Sequence, residues 1–293
     1  MADGYFPPGS MLRYVQAHRA VGHTYGQRAL LIGATHPVPY VGTSQSTLSK
    51  ERPFERLART ARAFETVFFG PRQEADAVLR GVASLHRKVR GRLVRDEGTF
   101  PAGTPYDAFD PDLMFWTMAM LADSSRTAFE TLVRPLSIGE REDLWADWVR
   151  FGELFGMPRH AAPATAIDFD DWLRAWFRGG RMHLTEEARW VGRSIAGTAP
   201  VPKGLAAGAR ASNLVVRGML PAPVRRLYGL AWSPAHEQAF RLAAAAVRRS
   251  HRVVPDRVRI GDNRRMHDLI IATERRRVAA GRPLMVLPDD LAG

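Results

Sequence analysis

Apolar residues recur at the spacing of an α-helix along most of this 293-residue chain, and proline and glycine separate one helical stretch from the next. Residues three or four positions apart share a helix face, whereas a half-buried strand alternates apolar and polar residues. The chain has no series of alternating runs that would build a sheet. The sequence therefore predicts an all-α fold.

Capping and breaking residues set the expected limits of these helices. The predicted helices cover 10–21, 25–36, 53–68, a segment after Gly70-Pro71 that carries His86, one opened by Asp110-Pro111, one opened by a Ser137/Glu140 capping box, 168–177, 185–195, 222–232 and 233–249. We expect a loop or an irregular helix over 39–49, and a mobile connection over 196–211, which is rich in glycine, alanine and proline.

Composition excludes several classes of protein. The longest apolar runs, such as 242–247, fall far short of the roughly 20 residues that span a bilayer. The first residues lack the basic start and apolar centre of a secretory signal, so the expected location is cytoplasmic. Cysteine is absent, which excludes disulfides, thiolate zinc sites and haem that is attached or ligated through sulfur.

The net charge of +12 bears on the partners of the chain. The charge is spread, and its arginine clusters have no interleaved aromatic platform and no recognisable nucleic-acid motif. We therefore expect no specific nucleic-acid partner. Peripheral contact with an anionic membrane surface is compatible with the same charges.

His86 falls on the apolar face of a predicted helix, with Arg90 expected one turn further on the same side. The stripe at the helical period consists of Ala75, Val78, Leu79, Val82, His86 and Val89. A buried imidazole either packs as a neutral, hydrogen-bonded core group or binds a metal such as haem iron. This segment alone leaves both interpretations open.

Arg56, Arg59 and Thr60 share one face of the preceding helix, at positions i, i+3 and i+4. If the two helices pack antiparallel across Gly70-Pro71, their faces could enclose a cofactor that carries carboxylates, which suit the planar fork of arginine. The alternative is a solvated basic face.

Other catalytic motifs are missing from the sequence. There is no His-Glu-x-x-His pair, no Glu-x-x-His pair, no phosphate-binding Gly-x-x-x-x-Gly-Lys loop, no Gly-x-Gly-x-x-Gly turn and no Gly-x-Ser-x-Gly elbow. His183 with Glu186 or Glu187 could offer one face of a metal site, but Thr185 and the two glutamates also fit the start of a helix.

Several short segments occur in a characteristic order. They are Gly26-Gln27-Arg28-Ala29-Leu30-Leu31 with His36-Pro37, Arg56-Leu57-Ala58-Arg59-Thr60, Phe69-Gly70, His86-Arg87-Lys88-Val89-Arg90-Gly91, and Tyr106-Asp107-Ala108-Phe109-Asp110-Pro111 with Trp116. In this combination they resemble the rubber oxygenase (latex clearing protein) and MpaB-type oxygenase family. The resemblance covers 10–169 well and the remainder weakly.

The resemblance implies a single helical domain with a globin-like core around a buried pocket for a non-covalent haem b. Residues 1–195 would form the haem-binding oxygenase core, and residues 196–293 a C-terminal helical part packed on it. The implied activity is the O₂-dependent cleavage or oxidation of an isoprenoid- or lipid-like substrate.

Residue by residue, the resemblance makes His86 the proximal iron ligand and gives Arg90 and Arg56 a place in haem binding. Arg56, Arg59 and Thr60 become the candidate catalytic residues on the distal side. Rubber-cleaving enzymes carry an iron-coordinating lysine where this chain has Arg59, and arginine has no lone pair for iron. The closed state that this lysine builds is therefore expected to be absent or built differently.

Two further points shape the function hypothesis. No distal carboxylate base is identified, since Glu51 and Glu55 are near the motif only in sequence. Without a secretory signal, a small apolar substrate is more plausible than an external polymer. A haem-dependent oxygenase is the leading hypothesis, and the alternatives are a non-catalytic haem- or gas-binding protein and a helical lipid-binding protein without haem.

Overall fold

The computed structural model describes residues 4–44, 52–197, 201–286 and 288. Within these ranges the chain is 69% helical and contains fourteen α-helices beside one two-stranded sheet, which confirms the all-α prediction. The helices are α1 (Met11–Gln16), α2 (Arg19–Gly33), α3 (Pro37–Ser44), α4 (Pro53–Phe69), α5 (Arg72–His86), α6 (Pro111–Leu132), α7 (Ile138–Leu154), α8 (Ala166–Arg178), α9 (Glu186–Gly197), α10 (Ala206–Met219), α11 (Ala222–Tyr228), α12 (Pro234–Ser250), α13 (Asp256–Arg259) and α14 (Arg264–Ala279).

Helix α6 is the central element of the core. It packs along α2 and also contacts α1, α3, α7, α10 and α12. The eight consecutive residues 118–125 are all buried, so the middle of the helix is covered on every side, as its apolar sequence predicts. In the described part of the chain, no helix combines the length and the apolar character that crossing a membrane requires.

Three of the predicted helix starts have the expected caps. The Ser10 hydroxyl accepts a hydrogen bond from the Arg13 amide at 3.3 Å. The Asp110 carboxylate accepts from the amides of Asp112 and Leu113 at 2.9 and 3.1 Å. Ser137 and Glu140 form a capping box at the start of α7. These caps satisfy amides that have no partner inside the helix, which is why they are readable from sequence.

The helix predicted over 10–21 is interrupted. Helix α1 ends at Gln16, and α2 begins at Arg19. His18 lies between them in an extended conformation, because its backbone forms an antiparallel bridge with Ile260 and the Gly261 amide donates to the Ala17 carbonyl at 2.8 Å. A segment more than 200 residues away therefore breaks the helix, and no local signal reveals it.

The segment after His86 is a hairpin and does not continue the helix. Strand β1 (Arg90–Arg92) pairs antiparallel with β2 (Pro105–Asp107), and Arg90 lies opposite Asp107. The expectation that Arg90 follows His86 on the same helical face is therefore wrong. Helix α5 ends at His86 because the chain turns there to bury Leu93 and Tyr106 against α3, which leaves Arg90 exposed.

The C-terminal part differs from expectation at several places, which include the short, unpredicted helix α13. Helix α10 begins at Ala206, inside the stretch predicted to be a mobile connection; residues 198–200 of that stretch lie outside the described residues. Helix α11 ends at Tyr228, because Gly229 adopts a left-handed conformation with φ of 66°. Helix α14, which packs on α4, was not predicted, because its buried residues His267, Thr273 and Glu274 are polar.

Candidate functional site

His86 is the last residue of α5, and α5 packs on α4, which is the condition that a site between the two helices requires. Its ring meets the ring of Phe109 edge-on, with 5.9 Å between the centroids. Burial lowers the pKa of His86, so the imidazole is neutral at neutral pH and keeps a lone pair. Its Nδ1 atom is buried and has no hydrogen-bond partner among the described residues. Buried polar atoms without a partner are uncommon in folded proteins, and a catalytic or ligand-binding role is one explanation for them.

Two other buried histidines also carry an Nδ1 atom without a hydrogen bond, and their surroundings differ. His36 is stacked between Phe100 and Trp176, with ring centroids 4.9 and 5.0 Å away. His267 Nδ1 lies 3.7 Å from Glu65 Oε2. His36 therefore has a packing role, and His267 faces a carboxylate. Neither environment resembles that of His86.

Arg56 lies half-buried on α4, near Tyr40 of α3. Burial lowers the pKa of Arg56, and the nearby Tyr40 opposes this effect. Burial likewise raises the pKa of Tyr40, whose hydroxyl donates to Glu187 of α9 at 3.3 Å. Three helices therefore bring a desolvated cation, a phenol and a carboxylate to one region. Tyr40 was not among the predicted site residues, and Glu187 was considered only beside His183 as one face of a metal site, because nothing in the sequence links α3 or α9 to α4.

Arg59 is held by a carboxylate on its own helix. Its Nη2 atom lies 2.6 Å from Oε1 of Glu55, which is fully buried. Arg52 reaches Oε2 of the same carboxylate at 3.1 Å, and Arg275 of α14 binds both oxygens, at 2.6 and 2.9 Å. The hydrogen bonds from Arg275 hold the pKa of Glu55 at about 2. Glu55 is therefore a fixed anion rather than a catalytic base; Glu51 lies outside the described residues.

The remaining predicted site residues are exposed. The Thr60 hydroxyl donates to the Arg56 carbonyl one turn earlier, at 3.1 Å. Arg90 Nη2 donates to the Arg87 carbonyl at 2.9 Å. Within the described residues, no hydrogen bond or ion pair joins His86 to Arg56, Arg59 or Thr60. The roles expected of these residues toward a cofactor stay predictions.

Helix α14 also caps the helix that carries Arg56. The two carboxylate oxygens of Glu274 accept the backbone amides of Phe54, at 3.2 Å, and of Glu55. These amides belong to the first turn of α4, which has no side-chain cap of its own. Burial raises the pKa of Glu274, and the two amide hydrogen bonds oppose this effect. A remote carboxylate therefore completes the start of the site helix, and the local sequence gives no sign of it.

A second buried polar cluster lies away from these residues. Arg28 of α2 donates to Asp123 of α6 at 2.6 Å and to Ser124 at 2.8 Å. Arg126 joins Asp123 to Asp170 of α8. The cluster borders a cavity of about 270 Å³. Burial alone would raise the pKa of Asp123, but Arg28 and Arg126 outweigh it and keep the carboxylate ionised. These internal pairs tie three helices together.

No group of three or more histidine, aspartate or glutamate side chains that could hold a metal ion occurs within the described ranges. The site consists instead of one neutral imidazole and a desolvated arginine on two packed helices. The class defined by this fold and these residues is a helical protein whose candidate polar groups lie on two packed helices.

Comparison with known families identifies the particular family. The chain belongs to the family of the ER-bound oxygenase mpaB/B′ and rubber oxygenase catalytic domains, whose model matches residues 13–249. This confirms the resemblance drawn from the ordered segments and extends it past residue 169. The family is an oxygenase family, which supports an enzymatic role.

Relatives with this similarity occur in mycobacteria. The uncharacterized proteins Mb2261 of Mycobacterium bovis and Rv2237 of Mycobacterium tuberculosis are each 28% identical to this chain over 209 residues. The alignments cover 71% of this chain and 78% of each relative. No solved structure matches the chain.

Proposed function

We propose that this protein is a haem b-dependent oxygenase that uses O₂ to oxidise an apolar, isoprenoid- or lipid-like substrate. The observation that carries the proposal is the half-buried, neutral imidazole of His86, whose buried Nδ1 atom has no partner among the described residues, within a chain of an oxygenase family. A helical lipid-binding protein without haem needs no such imidazole. A haem- or gas-binding protein without turnover needs it as much as an oxygenase does.

The donor set of the site fits haem. The porphyrin supplies four nitrogen ligands, so the protein needs to provide one neutral imidazole without covalent attachment. His86 would hold the iron, and the desolvated guanidinium of Arg56 would pair with a haem carboxylate, because charge-assisted bonds to arginine are strong away from water. When bound, the haem supplies the redox-active centre at which O₂ reacts.

The chain's own residues supply the surroundings for this chemistry. Phe109 lies against the His86 ring and keeps one side of it apolar, which favours the neutral imidazole. Arg56 keeps a positive charge beside the Tyr40 hydroxyl. Arg59 is paired with Glu55, so we assign it to the support of α4, with an indirect effect on the reaction. The same proposal includes a globin-like core and a cytoplasmic location. An experimental structure of the haem complex tests the first, and cell fractionation tests the second.

Absorption spectroscopy of the protein purified from haem-supplemented cells tests the ligand assignment. We expect a Soret band in the native protein and its loss or a large shift in His86→Ala. His160→Ala, which alters an exposed histidine, is the matched control and should leave the band unchanged. A full-intensity, unshifted band in His86→Ala, or no band in the native protein, would contradict the proposal.

Oxygen consumption distinguishes the oxygenase from its alternatives. With haem bound, we expect O₂ uptake coupled to the conversion of at least one member of a panel of isoprenoids and unsaturated lipids. A Soret band without coupled uptake across the panel would favour a non-catalytic haem- or gas-binding protein. Tight lipid binding by a protein that contains no iron would favour a helical lipid carrier.

A further inference from the structure

The hairpin that follows His86 forms a basic surface. Between Leu85 and Arg95 the chain has no carboxylate, and its cations are Arg87, Lys88, Arg90, Arg92 and Arg95, all exposed. We call residues 85–95 the basic segment. Strand pairing uses backbone hydrogen bonds and requires no side-chain charge, so this concentration of positive charge makes the segment a candidate interaction surface.

The two faces of the basic segment differ in character. Leu93 is 3% exposed and packs with Val38 and Tyr106 on the inner face of the hairpin. Successive side chains of an extended strand point to opposite faces, so Arg90 and Arg92 share the outer face, and Val94 lies in the bend that follows the strand. Val94 is 92% exposed, and Leu85 at the end of α5 is 64% exposed. Two bare apolar side chains therefore lie among the cations.

The cations of the basic segment are largely unpaired. Arg95 is paired with Glu97 at 2.9 Å. Arg92 donates to the Gly103 carbonyl, which leaves its charge uncompensated. Within the described residues, Arg87, Lys88, Arg90 and Arg92 have no carboxylate at ion-pair distance. Unpaired exposed guanidinium and ammonium groups are the groups that bind phosphates.

We propose that the basic segment docks this protein on anionic phospholipid bilayers. The guanidinium and ammonium groups would bind headgroup phosphates, and Val94 and Leu85 would enter the boundary between headgroups and acyl chains. Basic residues combined with exposed apolar side chains are typical of membrane-surface binding. A nucleic acid would pair with the cations but would not bury the aliphatic side chains, and Val94 and Leu85 offer no ring on which a base could stack.

The position of the basic segment gives the docking a role. His86 lies at the junction between α5 and this segment, so a docked protein would hold its candidate site near the lipid phase. Delivery of an apolar substrate from the bilayer rests on the proposed function. Bilayer binding itself needs neither haem nor turnover, so it can be measured and can fail independently.

Vesicle co-sedimentation of the full chain tests the docking. Vesicles of phosphatidylcholine with about one-third phosphatidylglycerol should bind the protein, whereas pure phosphatidylcholine should bind it weakly. Each lost charge is worth about a fivefold change in partitioning. The Lys88→Gln/Arg92→Gln double variant should therefore bind about 25-fold more weakly, and Val94→Ser several-fold more weakly.

Matched variants on other surfaces serve as controls. Arg248→Gln/Arg249→Gln removes two exposed charges from α12, and Ile138→Ser removes a side chain that is 76% exposed at the start of α7. We expect both to bind nearly as well as the native protein, and all variants to keep the native far-ultraviolet circular dichroism. Equal losses in the two double variants would show a non-local charge effect and overturn the proposal. The absence of vesicle binding would also overturn the proposal. A third contradicting result would be a Lys88→Gln/Arg92→Gln variant that loses binding to duplex DNA or RNA and keeps its binding to vesicles.

Discussion

His36 shows how a single residue can be fixed by its neighbours. The rings of Phe100 and Trp176 cover its two faces, and the edge of Trp116 approaches from 5.5 Å. Burial lowers the pKa of His36 to about 4, from an ordinary value of 6.5. The imidazole therefore remains neutral in the folded protein over a pH range in which the unfolded chain takes up a proton. His267 has the same property, and burial is again the main cause.

The shifted pKa values predict a loss of stability in acid. A lowered folded-state pKa means that the unfolded state binds more protons, so the stabilisation is complete above pH 6.5 and is lost as the pH falls from 6.5 to 4. For His36 the loss is on the order of 3 kcal/mol. Urea unfolding at a series of pH values measures it.

His36→Phe isolates this contribution, because a phenyl ring can keep the stacking but cannot be protonated. We expect the variant to be about as stable as the native protein at pH 7 and more stable than it at pH 4.5. A parallel pH dependence of the two proteins would show that His36 is not the source.

At the scale of elements, the pair α4 and α14 shows why sequence patterns were incomplete. Helix α4 was predicted almost to the residue, since Pro53 opens it and Gly70-Pro71 closes it. Helix α14 escaped prediction because its contacts with α4 are made by Glu274, Arg275 and other polar groups that form no apolar stripe. The hairpin escaped for a related reason: its strands are three residues long, and three residues are too few to show an alternating pattern.

The remote cap predicts a local effect at the start of α4. Glu274→Gln should weaken the hydrogen bonds to the amides of Phe54 and Glu55, because a neutral amide oxygen is a poorer acceptor than a carboxylate. Loss of a helix cap costs about 1 kcal/mol, so overall stability should fall by a similar amount. Hydrogen exchange measured by NMR should accelerate at these two amides.

Glu153→Gln, which alters an exposed glutamate of α7, is the control for this change and should leave exchange unaffected. Unchanged protection of Phe54 and Glu55 in Glu274→Gln would mean that the first turn of α4 does not depend on α14. A uniform acceleration across the protein would indicate global destabilisation without a specific cap.

At the scale of the whole molecule, the helical class, the central position of α6 and the family were all accessible from sequence. They rest on patterns repeated over many residues, such as the apolar residues on most sides of α6. The convergence of Arg56, Tyr40 and Glu187 was not accessible, since it depends on how three separated helices meet. His86 was accessible as a candidate, because one polar residue in an apolar stripe stands out.

The same carboxylate-to-amide change should destabilise the protein strongly in the interior and hardly at all on the surface. Asp123→Asn removes the anion between Arg28 and Arg126, and breaking a buried pair of this kind costs about 3–5 kcal/mol. Asp171→Asn disrupts an exposed pair with Arg174 and should change stability by less than about 1 kcal/mol. Denaturant midpoints of the two variants provide the comparison, and similar values would show that Asp123 does not hold α2 and α6 together.

The docking of α14 on α4 has a consequence for how domains are delimited. The region that matches the family ends at residue 249, whereas Glu274 and Arg275, which support the start of α4, lie beyond it. A fragment cut at the family boundary would therefore retain all the candidate site residues and lose part of what orders them. In this protein, the segment that is recognisable by common ancestry is shorter than the unit that folds.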